Sequence, residues 1–300
     1  MVKRILCWKR ATFVALGLVA LLACKGQPEQ SASPHKLRVV SLSPGVTEIL
    51  YGIGAFDLLV ADSKFCDYPE EAKKLPHVGG FYDVNLEAIS SIKPDLIILI
   101  DDQSIMFRDK LEKLGARVIS VKNKSVADIV DSIRIIGRET GHDAEAQKVA
   151  DQITTKVATR INETKALPKT RVLCVVDRVP GTLRDIYTAT SGSYLDELIT
   201  ASGGQNIAPA DGQGFSKIQQ EAIVDTDPQI IIDMIHLNPS EDIASTRAPW
   251  NVLSQVTAVR EHRIVTLDET YTRHPSQLLV ETLDALSRII HPEVFGTYVK

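Results

Sequence analysis

Aromatic side chains are scarce in this chain. Two Trp, seven Tyr and seven Phe make up 5% of 300 residues, so any cluster of them carries information. Cysteine is scarcer still, at four, and no pair has the spacing of a zinc or redox motif. There is no surplus of positive charge either. Lys and Arg number 34 against 38 Asp and Glu, which leaves no basic footprint for nucleic acid. The short enzyme signatures are missing as well: no GxxxxGK[ST], no GxGxxG after a strand, no GxSxG and no HExxH. "TSGSYLD" holds a Gly-Ser pair but not the paired glycines of a nucleophile elbow, and the seven histidines are dispersed. The residues therefore supply no persuasive catalytic set, and the expectation is no catalytic residues, no cofactor and no metal ligands.

What is present begins with a leader. Lys3, Arg4, Lys9 and Arg10 precede the apolar run "ATFVALGLVALLA", short for a membrane span and of the length of a secretory h-region. It ends in Leu21-Leu22-Ala23-Cys24, which resembles a bacterial lipobox. That resemblance implies removal of residues 1–23, lipidation of Cys24 and an extracytoplasmic protein, in the periplasm or at the cell surface. Its contact with the membrane would be through the lipid alone. Polar, proline-bearing "KGQPEQSASPHK" then reads as part of a flexible tether over 24–36. Of the remaining cysteines, Cys66 and Cys174 are expected to be free thiols, Cys174 within the apolar run "RVLCVV".

From Leu37 onward, strand and helix patterns alternate. "LRVVSL" precedes a helix signalled by Ser43 and Pro44, and "DLLVAD", "LEAISSI", "PDLIILI", "FRDKLEKLG" and "ARVISV" continue the alternation. This predicts a parallel α/β lobe over 37–142. "DAEAQKVADQITTKVATRINETKA" is rich in helix formers and free of Gly and Pro, predicting one long helix over 143–167. After Pro168 the alternation restarts and predicts a second α/β lobe over 168–300. A short repeat marks both halves: "NLEAISSIKPDLIIL" from Asn85 and "QQEAIVDTDPQIIID" from Gln219 align with Glu87 on Glu221 and Pro94 on Pro228.

The run "CDYPEEAKKLPHVGGFYDVNLEAISSIKPDLII" resembles the binding proteins of vitamin B12 and other corrinoid ABC importers, within the wider group that binds haem and iron-siderophores. "RVVSLSPGVTEIL" and "GSYLDELITASGGQNIA" extend the resemblance to about Leu37–Pro292. It implies two α/β lobes of mainly parallel sheet joined by one rigid interdomain helix. A corrinoid, with cobalamin favoured over haem or a ferric siderophore, would be held between the lobes of a monomer. The protein would deliver it to a permease dimer whose ATPase subunits supply the energy. One stretch departs from the pattern: Ile100, Asp101 and Asp102 stand where the B12 relatives carry a Trp.

Loops at the carboxyl ends of parallel strands form the expected rim. They nominate Phe65, Tyr68, Phe81 and Tyr82 in the first lobe and Arg178, Tyr187, Tyr271 and Arg273 in the second. The resemblance implies that an aromatic residue at Phe81 packs on the corrin face. It also implies that Glu87 and Glu221 dock on the two membrane subunits, although each also suits the first turn of a helix. His274 and Cys66 are the side chains an alternative metal-binding or chelatase role would use.

Overall fold

A computed structural model describes residues 35–212, 214–234, 243–267 and 270–299; the leader, Cys24 and most of the tether lie outside them. The first half runs β1 (Val39–Ser41), α1 (Pro44–Gly52), β2 (Leu59–Ala61), α2 (Leu86–Ile92), β3 (Leu96–Ile100), α3 (Asp101–Glu112), β4 (Arg117–Val121) and α4 (Val126–Thr140). Its strands pair in the order β2-β1-β3-β4, every pair parallel. Helix α5 (Asp143–Thr164) follows, 22 residues long and so about 33 Å from end to end.

The second half contains β5 (Thr170–Asp177), β6 (Tyr187–Ala189), α6 (Tyr194–Ala201), β7 (Gly204–Asn206), β8 (Phe215–Lys217), α7 (Gln220–Thr226) and β9 (Ile230–Asp233). It ends with α8 (Ile243–Arg247), α9 (Thr257–Arg260), β10 (Ile264–Thr266), α10 (Thr270–Arg273), α11 (Leu279–Ile290) and α12 (Pro292–Phe295). Here β10, β9, β5 and β7 are parallel, whereas β6 and β8 fold back as antiparallel neighbours on the β5 side. The second sheet is thus mixed.

The repeat seen in the sequence is a structural unit. Each seven-residue helix ends on a left-handed residue, Lys93 or Asp227, before the proline and the central strand. An arginine on the neighbouring strand closes each helix end. Arg38 donates to the carbonyls of Ile92 (2.7 Å) and Lys93, and Arg171 donates to that of Asp227 (2.8 Å). Asp95 and Gln229 hold matching places, each accepting from the backbone N–H of the arginine and donating its own N–H to the arginine carbonyl.

One apolar core crosses from the first sheet to the second. Ile49 of α1 and Ile133 of α4 pack into the same buried cluster as Ile153 of α5, Cys174 of β5, Leu198 of α6 and Leu286 of α11. Smaller cores cover the outer faces, under α2 and α3 on one side and under α7 and α9 on the other. Two polar seams reinforce the crossing. Arg160 of α5 is buried; it donates to Asp284 (2.7 Å), Glu163 (2.9 Å) and Ser287 and lies 4.4 Å from the ring centre of Phe295. Glu48 of α1 is also buried and accepts from Ser276 Oγ at 2.5 Å, with His274 Nδ1 at 2.7 Å from its other oxygen. Gln277 donates to the Glu48 carbonyl (2.9 Å).

That second seam also brings the two sheets' carboxyl ends together. The chain leaves the end of β10 at Leu267 and by Pro275 lies on the first turn of α1. A Cβ on Gly45 would stand 2.7 Å from the Pro275 carbonyl oxygen, so only glycine permits this approach.

Behind the first rim, Asp62 is fully buried just after β2, pairing its backbone with His77, whose Nδ1 lies 2.7 Å from its carboxyl. Burial pushes its pKa up to about 6, against a smaller opposing pull from His77. The folded-state pKa exceeds the unfolded one, so stability from this group is full below the unfolded value of 3.8 and falls as pH rises towards about 6. Asp62→Asn should therefore gain in melting temperature relative to the parent between about pH 4 and pH 6. A gap that stays constant across that range would remove the buried acid from the account. Arg160→Met should cost about 1–2 kcal/mol in urea denaturation, because it removes the charged hydrogen bonds to Asp284, Glu163 and Ser287, although Asp284 keeps Lys156 and Ser287 keeps the Leu283 carbonyl. A loss below about 0.5 kcal/mol would mean that apolar packing alone joins α5 to α11.

Candidate functional site

The first-lobe aromatics gather on a hairpin. Gly79 pairs with Val84, and Gly79 must be glycine: its φ is 101° and a Cβ would stand 2.2 Å from the Asp83 carbonyl oxygen. The turn carries Tyr82, exposed, and Phe81, half-buried against the shared core, edge to face with ring centres 4.6 Å apart. Phe65, from the loop after β2, comes against the same turn, where a Cβ on Gly80 would meet its ring edge at 2.9 Å. Asp83 folds back to accept from the Gly80 N–H (3.0 Å) and from Lys64 Nζ (2.8 Å). The product is an apolar platform with Phe65 55% and Tyr82 78% exposed, an unusual amount of ring surface left in water.

Tyr68 is not part of it. Its ring packs edge-on to Tyr51 of α1 (5.6 Å), and burial raises its phenol pKa, with Tyr51 and Glu48 adding to the effect.

In the second lobe, Tyr187 opens β6 opposite Asp177, the last residue of β5, and so stands at the carboxyl rim. Phe215 lies two positions along the paired strand β8, opposite Ala189, on the same face as Tyr187 and Lys217. Tyr187 and Phe215 are 38% and 46% exposed. Phe215 escaped the sequence reading because nothing local marks the short edge strand that carries it. Ile105 was missed too. It projects from the second turn of α3, beyond the end of β3, and is 87% exposed. Asp101 and Asp102, where the corrinoid pattern has a Trp, form the first turn of that helix, which follows β3 without a loop.

Arg178 must be withdrawn as a ligand contact. Its side chain is fully buried, with Nε and Nη2 on Asp233 (3.1 and 2.8 Å), Nη1 on the Thr182 carbonyl and Nη2 also on that of Thr246. Trp250 Nε1 donates to the same Asp233 oxygen (2.9 Å). A guanidinium so committed braces the second lobe from inside. Tyr271 is half-buried and packs against the shared core, and the side chain of Arg273 lies outside the described residues. His274 is tied to Glu48. Cys66 and Cys174 are buried free thiols, both pushed up to about 12 by burial, which keeps them protonated and poor as metal ligands. Among the described residues, no group of three His, Cys, Asp or Glu is placed to hold a metal ion.

Two concavities do not compete with the aromatic rims. A cavity of about 10 Å³ beneath Pro275, lined by Ser43, Ile100 and Val121, has room for no more than one water. A groove of about 960 Å³ runs along α5 and the start of α11, but its walls are Gln147, Lys148, Asp151, Lys156 and Glu281, with no aromatic face.

Comparison with known proteins agrees with this architecture. Residues 39–271 match the family model described as periplasmic binding protein. An ABC transporter substrate-binding lipoprotein of Bacillus subtilis, itself uncharacterised, is 29% identical over 86% of this chain and 81% of its own length. A vitamin B12-binding protein of Vibrio vulnificus is 28% identical over 80% of this chain and 84% of its own. In structure, the chain is similar to the periplasmic vitamin B12-binding protein BtuF of Vibrio cholerae, with TM-score 0.71, 24% identity and coverage of 84% and 96%. A periplasmic haem-binding protein of Pseudomonas aeruginosa is equally close in fold, with TM-score 0.74, 23% identity and coverage of 86% and 93%. The chain belongs to the periplasmic binding protein family, the substrate-binding proteins of ABC importers.

Proposed function

We propose that this protein captures a corrinoid, cobalamin before others, between the aromatic rims of its two lobes and hands it to an ABC importer. The observation that carries the reading is the Phe65–Phe81–Tyr82 platform at the carboxyl end of an all-parallel sheet. Two exposed rings, Phe65 and Tyr82, flanking the half-buried Phe81 suit the flat face of a macrocycle, which rewards apolar ring contact. The vitamin B12-binding relatives favour a corrinoid, and the structural likeness to a haem-binding protein makes haem the second candidate for the same platform. Lipidation at Cys24 would keep the protein on the outer side of a membrane; among the described residues no helix is long and apolar enough to cross one.

Glu87 and Glu221 stand exposed in the first turns of α2 and α7, the two copies of the repeated unit. Asn85 caps the first helix through its side chain, but Gln219 makes no such bond, so capping alone does not account for both copies. A two-fold permease would meet one such glutamate on each lobe.

Calorimetric titration of the mature protein with cobalamin, haem and a ferric siderophore should give one-to-one binding of cobalamin, and Phe81→Ala should weaken it about tenfold. Tight haem binding with none of cobalamin would transfer the site to the second candidate. The double variant Glu87→Ala/Glu221→Ala should bind its ligand as the parent does yet no longer stimulate the importer's ATPase. Full stimulation would return both glutamates to a role in helix stability.

A further inference from the structure

Each aromatic rim carries the same polar device. In the first lobe, Lys64 Nζ lies 5.3 Å from the Phe65 ring centre and 2.8 Å from Asp83. In the second, Lys217 Nζ lies 5.5 Å from the Tyr187 ring centre and 2.7 Å from Asp185. Both aspartates sit in tight connections at the rim. Asp83 folds back on the glycine hairpin, and Asp185 takes a left-handed conformation (φ 51°) just before β6. Both pairs are open to water, with side-chain exposures of 45% and 65% in the first and 48% and 59% in the second.

Exposed ion pairs contribute little to folding, so stability does not explain why the device recurs beside an exposed ring on both rims. The pair Lys73–Glu70 shows the ordinary kind: it joins neighbours three residues apart. Lys110 over Phe107 is likewise a contact within one helix, beside the outer core. Distant surface pairs such as Lys156–Asp284 and Arg117–Glu139 occur elsewhere. Lys64 and Lys217 differ in that each cation, besides its aspartate, lies beside a ring exposed at a rim, Lys64 beside its sequence neighbour Phe65 and Lys217 beside its cross-strand partner Tyr187.

An ammonium held over an aromatic face by a weak, solvated partner is poised to be taken over by a better acceptor. When a flat ligand covers the ring, water leaves, and the ammonium next to it strengthens any bond to a negatively charged oxygen at the ligand's edge. We propose that Lys64 and Lys217 form a two-sided clamp for anionic oxygens, phosphate or carboxylate, at the periphery of a flat macrocycle, with Asp83 and Asp185 as their partners in the empty state. The clamp rests on the aromatic rims being the ligand site, as proposed above. It adds that affinity depends on charge as well as ring contact, one cation per lobe. A corrinoid phosphodiester and porphyrin propionates offer the same oxygen chemistry.

Binding of cobalamin and of haem should be measured for the parent, Lys64→Gln, Lys217→Gln, Asp83→Asn and Asp185→Asn, each at low and high salt. The ligand forms lacking the anionic group, a corrinoid without its phosphodiester and a haem diester, complete the set. For the ligand the parent prefers, loss of a clamping lysine should weaken binding about tenfold and flatten the salt dependence. Either aspartate variant should strengthen binding about two- to threefold, since it frees the lysine without removing it. The lysine effects should disappear with the uncharged ligand. Parent-like affinity and salt dependence in both lysine variants would overturn the clamp while leaving the macrocycle site intact. A parent that binds neither macrocycle would overturn both together.

Discussion

The structure depends on a single apolar core that does not stop at the boundary between its two sheets. Helix α5 carries it across: Ala146 and Ala150 pack with α4 on one side, and Ile153 continues into the cluster that holds Cys174, Leu198 and Leu286. A core shared in this way makes relative motion of the sheets expensive, because any opening would expose buried side chains at about 25 cal/mol per Å². Close-packed interiors resist such deformation, so a stiff pair of rims is the expected consequence.

Two buried charges sit where that crossing needs direction as well as attraction. Arg160 pins α5 to α11 and α12, while Glu48 binds α1 to the segment 274–277 that returns from the second sheet. Apolar contact is non-directional, whereas these hydrogen bonds are satisfied in one arrangement only. The separation of the two rims is thereby fixed by polar bonds laid over an apolar base. Arg178 performs a comparable service inside the second lobe, locking β5 to β9 and Trp250. Its burial shows why a loop arginine after a strand need not be a ligand contact: the same guanidinium geometry that suits an anion also suits a buried carboxylate.

The site rests on this frame at two depths. Backbone geometry at Gly79 and Gly80 turns the hairpin and lets Phe65 approach, and the side chains on top of it are left free to meet a ligand. The lysine–aspartate pairs occupy the outermost layer, where exchange of one partner for another costs little. Rigid scaffold beneath and exchangeable polar contacts above is a workable division of labour for a protein that must both hold a small molecule and release it.

Much of this was legible in the chain itself. The helix–strand alternation, the Ser43-Pro44 helix start and the uninterrupted run from Asp143 gave the order of the main elements, because these are local signals with local causes. The duplicated helix-proline-strand unit was visible through Glu87 and Glu221. Its matching closures by Arg38 and Arg171 were not, since each bond joins residues more than fifty positions apart. Phe81 and Tyr82 could be nominated from their glycine-flanked loop and Phe65 from the loop after the second strand, yet Tyr68, from that same loop, turned to pack on Tyr51. The sequence by itself determined the main parallel strands, the longer helices and that there are two similar halves, through hydrophobic period and turn chemistry; the short strands β6, β7 and β8 carried no such local mark. Only the tertiary structure decided which charged side chains are buried braces and which stay exposed at the rims, because burial and partnership depend on neighbours that the chain brings together from far away.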